Sequence, residues 1–114
     1  MEKEQLEKLT RDYQSIQEQL QALSMQKEQY KGQSEELKRA LEEVSNASGR
    51  IFLAVGGIMA ETDKQTAEKS LKERQESSAM RLSIIERQLT EASKREQSLR
   101  SEITAELKGA KDNE

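Results

Sequence analysis

Residues 51–60 read IFLAVGGIMA, an uncharged apolar island in a chain that is otherwise 36% charged. Ile51-Phe52-Leu53-Ala54-Val55 reads as a strand, Gly56-Gly57 as a two-residue turn, and Ile58-Met59-Ala60-Glu61 as the return strand. Glycine at both turn positions permits the positive φ angles that tight hairpins need. Such a turn sets Val55 opposite Ile58, Leu53 opposite Ala60 and Ile51 opposite Thr62 on one face. The other face carries Ala54 with Met59, and Phe52 with Glu61. Both faces are largely apolar, without the alternation of a strand that is wet on one side. An island of ten residues is too short to span a bilayer, and two strands alone are marginal in water. The island must therefore meet other copies or partner chains.

Outward from the island, composition narrows the class. Only 32% of residues are hydrophobic and only Tyr13, Tyr30 and Phe52 are aromatic, too little for a compact globule of this length. Disorder or a coiled coil remains, and periodicity decides for the coiled coil. In the first arm, taking Leu6 as a, the a positions are Leu6, Tyr13, Leu20, Lys27, Ser34 and Leu41. The d positions are Leu9, Ile16, Leu23, Tyr30, Leu37 and Val44. Ten of these twelve sites are apolar, which is a heptad seam. Lys27 and Ser34 interrupt it and read as register-fixing polar positions. A helix over 1–45 ends at the small polar stretch Ser45-Asn46-Ala47-Ser48-Gly49.

The second arm opens at Thr62-Asp63-Lys64-Gln65, with Thr62 or Asp63 as N-cap and Gln65 completing a capping box behind Thr62. Its seam runs Leu71, Gln75, Ser78, Leu82, Ile85, Leu89, Ala92, Glu96, Leu99, Ile103, Glu106 and Ala110, over a helix of 63–109. Residues 110–114 should fray. Folding back at the glycine pair makes the arms antiparallel, with facing residue numbers summing to about 112 by seam matching. Leu41 then faces Leu71, Leu23 faces Leu89, Leu20 faces Ala92 and Tyr13 faces Leu99. Ser34 meets Ser78, so two polar core sites coincide. The fold class is mainly α: a long antiparallel two-helix coiled coil with a single central β-hairpin, one domain over 1–114.

Several function classes fall away. The chain lacks cysteine and histidine, which removes disulfides, thiol chemistry, the usual zinc ligands and the common nucleophile–base pairs. Its carboxylates are scattered over solvated helices, with no pocket to raise a pKa, so no enzyme activity and no cofactor are expected. Gly56-Gly57 lies in neither GxGxxG nor GxxxxGK[ST]. The net charge is −3 and neither arm carries a basic stripe, so nucleic acid is not an expected partner. No membrane span and no signal peptide are visible, because the start is charged from Glu2, and a cytoplasmic location is expected. Function must come from shape. Leu6, Leu9, Leu99, Ile103 and Leu107 gather near the open end, where Leu6 faces Glu106 and closure is poor, leaving apolar surface for a client.

Residues 6–108, and most specifically 37–90, resemble prefoldin subunits of the β class. The resemblance rests on a leucine-bearing helix end, a short polar loop and the aromatic–x–x–Val–Gly strand formed by Phe52, Val55 and Gly56. The strand from Ile58 and a helix carrying Leu71 complete it. A single hairpin points to the β class, since α-class subunits carry two. The resemblance implies an ATP-independent cytoplasmic chaperone in which two α and four β subunits join hairpins into β-barrels. Coiled-coil tips then hold unfolded clients and deliver them to a group II chaperonin. By that analogy Ile51, Phe52, Leu53, Val55, Gly56, Gly57, Ile58 and Met59 build the oligomeric hub, and Leu6, Leu9, Leu99, Ile103 and Leu107 meet clients. The competing reading is a coiled-coil scaffold, or a prefoldin-like subunit of another complex, that holds no client.

Overall fold

The computed structural model describes residues 3–112, with side chains over 3–109. The element order is α1 (Lys3–Ser45), β1 (Ile51–Val55), β2 (Ile58–Thr62) and α2 (Lys64–Asp112). Two helices with an antiparallel two-stranded hairpin between them are the expected architecture. Helix α2 runs past Gly109 to Asp112, because an uninterrupted ladder tolerates glycine near its end at a cost of about 1 kcal/mol. The rest of the expected frayed tail, residues 113 and 114, lies outside the described residues, as do residues 1 and 2 and the Ala110 side chain.

The hairpin has the register that alternation around Gly56-Gly57 requires: Ile51 with Thr62, Phe52 with Glu61, Leu53 with Ala60, Ala54 with Met59, Val55 with Ile58. The turn corrects the expectation at one point. Only Gly56 has a positive φ, at 62°, so the left-handed demand falls on the first central residue alone. A Cβ on Gly57 would meet nothing within 4 Å.

Helix α1 stops where the small polar stretch begins. The Asn46 N–H donates to the Glu42 carbonyl and the Ala47 N–H to the Val44 carbonyl, both at 3.1 Å, which satisfies carbonyls a helix end leaves open. Asp63, not Thr62, caps helix α2, which starts at Lys64. Asp63 Oδ1 accepts the Thr66 N–H at 2.7 Å and Oδ2 accepts the Thr66 hydroxyl at 2.8 Å, while Thr62 is committed to strand pairing with Ile51. These bonds hold the Asp63 carboxyl below its ordinary pKa.

The chain divides into two compact units. In the unit of residues 28–83, Ala67 and Leu71 are buried next to the hairpin, and the next buried seam residue along α2 is Ser78. Its hydroxyl shares a hydrogen bond of 3.0 Å with that of Ser34, the polar coincidence the sequence register demands. Such a bond contributes about 0.5–1.5 kcal/mol net, whereas burying a leucine there on each helix would contribute about 3–6 kcal/mol. The guanidinium of Arg81 lies 6.0 Å from the Tyr30 ring centre. Gly32, inside α1, has open space where a side chain would be.

In the other unit, residues 3–27 with 84–112, the core is Ile16, Leu23, Ile85, Ala92 and Leu99. Glu96 on the α2 seam accepts the Tyr13 hydroxyl at 3.0 Å and has Arg100 Nε at 3.8 Å. Tyr13 therefore reaches one seam position before the Leu99 expected opposite it. The bond to Glu96 keeps the Tyr13 phenol above its ordinary pKa, so it remains a donor across the physiological range.

Two outcomes follow for local structure. Gly56→Ala should lower the thermal midpoint through a strain of about 1 kcal/mol, while Gly57→Ala should leave the isolated chain unchanged. Asp63→Ala should be less stable than the parent at neutral pH by circular dichroism melting. A lowered native pKa means the stabilisation is present above the ordinary carboxylate range and is lost as pH falls through the native pKa. The two melting curves should therefore converge in acid.

Candidate functional site

Among the described residues, exposed large apolar side chains are concentrated on the hairpin. Phe52 is 48%, Val55 60%, Ile58 72% and Met59 65% exposed. Ile51 and Leu53 are half-buried. Period-two geometry puts Ile51, Leu53, Val55, Ile58, Ala60 and Thr62 on one face and Phe52, Ala54, Met59 and Glu61 on the other. The first face is partly covered only at its helix end, where Ile51, Leu53 and Thr62 are half-buried, and Val55 and Ile58 at the turn are exposed like the second face. The hairpin is uncharged from Ile51 to Ala60. Its nearest charges are Glu61, paired across from Phe52, and Arg50, whose Nε lies 3.6 Å from Glu61 Oε1. Both side chains are largely exposed, so this pair contributes little to stability.

A two-stranded sheet with an apolar face and unpaired edges can bury area only by adding strands or meeting a second sheet. Among the described residues no group of three His, Cys, Asp or Glu could hold a metal. None of the helices is long and apolar enough to cross a membrane. An open groove of 740 Å³ in the unit of residues 3–27 with 84–112 is bordered by Lys27, Glu86, Lys94, Glu96 and Arg100, charges of both signs that favour no single ligand class.

The five residues expected at the open end separate in the structure. Leu99 is 1% exposed; it is a packing residue, because the seam of three-and-four steps turns it fully inward. Leu6, Leu9 and Ile103 are half-buried in the same seam. Leu107, one residue off the seam, is 53% exposed. Sequence reasoning missed Ala67, completely buried, although the four-residue step back from Leu71 is its signal. Met25, Met80 and Ile84 are exposed and lie off both seams.

Residues 5–110 match the family model described as prefoldin subunit. Among solved structures, the chain is similar to the prefoldin beta subunit from Thermococcus strain KS-1, with a TM-score of 0.82 and 28% identity. That similarity covers 90% of this chain and 92% of the other. No curated protein matches significantly.

The leucines at the end of the seam should separate in stability. Leu99→Ala should cost about 2–5 kcal/mol in a denaturant titration, the range for a buried leucine. Leu107→Ser should stay within about 0.5 kcal/mol of the parent, as exposed substitutions do.

Proposed function

Because the chain belongs to the prefoldin subunit family and shares the fold of a prefoldin beta subunit, we propose that it is a β-class subunit of a hexameric, ATP-independent chaperone. Two α-class subunits and four copies of this chain join through their hairpins. Ile51, Phe52, Leu53, Val55, Ile58 and Met59 form the hub, and Gly56-Gly57 make the reversal. The observation that carries this reading is the apolar hairpin itself: Phe52, Val55, Ile58 and Met59, spread over both of its faces, are 48–72% exposed, which a chain working alone would leave wet at a cost of about 25 cal/mol per Å².

The second half of the proposal concerns clients. The helix ends hold unfolded proteins in the cytoplasm and pass them to a group II chaperonin. Leu107 offers the most open apolar side chain there, with Leu6, Leu9 and Ile103 able to contribute where the seam loosens at its end. Leu99 serves this surface by holding the helices together beneath it. The burial of Leu99 also favours a second reading, in which the ends are closed and the chain is a scaffold.

Light scattering after size exclusion tests the hub. Mixed with an α-class prefoldin subunit, the chain should form a discrete complex near six subunits. Val55→Asp should dissociate that complex while keeping most of the helix signal by circular dichroism; a variant of unchanged native mass refutes the hub. For clients, the complex should suppress aggregation of an unfolded test protein and lose this on trimming residues 1–10 and 100–114. A complex of the right mass that never suppresses aggregation is the scaffold.

A further inference from the structure

The two helices are unevenly cemented. In the unit of residues 28–83, buried apolar side chains are confined to Ala67 and Leu71, beside the hairpin. Along α2 from Lys72 to Ser83 the buried side chain is Ser78, and its partner is another hydroxyl, Ser34. Gln75, one seam position before it, is also polar, and α1 has no buried residue beyond Leu23. Gly32 lies two residues before Ser34 in the α1 sequence, within the helix, and a Cβ there would meet nothing within 4 Å. No packing reason thus demands glycine. Its presence weakens the helix where the seam is weakest. The other unit, by contrast, buries Ile16, Leu23, Ile85, Ala92 and Leu99.

We propose that the segment around the Ser34–Ser78 layer, residues 29–37 of α1 with 75–82 of α2, is a built-in opening joint. There the helices part locally without unfolding of the hairpin or of the apolar layers elsewhere. Free energies of local opening follow the density of buried apolar contact, and helix amides exchange through whichever opening is easiest. Two hydroxyls lose little on parting, because water replaces their mutual hydrogen bond, and the half-buried Tyr30, Leu37 and Leu82 of the same segment expose less new apolar area than fully buried leucines would. Gly32 adds backbone freedom on the open side of the equilibrium. Beside the layer the Arg81 guanidinium lies 6.0 Å from the Tyr30 ring centre, at the outer limit of a cation–π contact. The joint is a property of the helix pair and does not depend on what the helix ends hold.

Hydrogen exchange read by mass spectrometry on the full-length chain, at neutral pH, tests the joint. Amides of 29–37 and 75–82 should exchange at least about tenfold faster than those of 14–24 and 86–99, once corrected for intrinsic rates. Gly32→Ala, for which the structure has open space, should slow exchange in 29–37 about fivefold. The pair Ser34→Leu with Ser78→Leu should slow both segments by more than about tenfold, with 14–24 and 86–99 unchanged. Equal protection in all four segments overturns the proposal. So does a Gly32→Ala chain whose exchange in 29–37 matches the parent, a result that stands even where the double leucine variant fails to fold.

Discussion

The chain reversal at Gly56 governs the rest of this molecule. With its φ of 62° it turns the chain through a two-residue connection, so paired strand residues sum to 113. Ser34 and Ser78, meeting far from the turn in sequence, sum to 112. The helices therefore continue almost the same pairing that the strands begin. A slip of one residue in the hairpin would exchange its faces, sending Phe52 and Met59 to the side that Ile51 and Leu53 occupy. It would also move each helix seam off its partner. Within the unit of residues 28–83 the turn and the helix pairing thus share nearly one register.

Apolar surface is handled in opposite ways along the chain. On the helices it is rationed into a narrow seam and covered, leaving outward faces rich in Glu, Lys, Arg and Gln. On the hairpin it is left open, with Ile58 and Met59 largely exposed. Charges at the strand ends, Arg50 and Glu61, border that apolar surface. Exposed apolar surface of this kind commonly marks an interaction site, in a chain that has little core of its own and belongs to a family of subunits.

Two polar layers of the seam pair groups suited to each other. Ser34 has Ser78, and Tyr13 spans the seam to Glu96, itself near Arg100. A buried polar group left alone would cost far more than either bond contributes. These layers keep the seam specific while lowering its cohesion, and they do so unequally. The Tyr13 layer is flanked by the buried Ile16 and Leu99, whereas the serine layer lies in a stretch with no buried apolar residue of its own.

The sequence by itself determined a great deal. Period-two and three-and-four spacing are local properties, so the strands, the turn, both helices, the strand register and the Ser34–Ser78 meeting were legible before any coordinates. Every seam position from Leu6 to Val44 and from Leu71 to Glu106 is buried or half-buried. What spacing could not rank was depth. It placed Leu99 and Leu107 together at an open end, and only the folded helix pair showed that one is sealed and the other exposed, because burial depends on the opposing helix. Likewise Thr62 and Asp63 both read as caps, and pairing of Thr62 with Ile51 left the cap to Asp63. The choice between Gly56 and Gly57 for the left-handed residue was also tertiary, since identical residues carry identical propensities and only strand twist distinguishes their places in the turn.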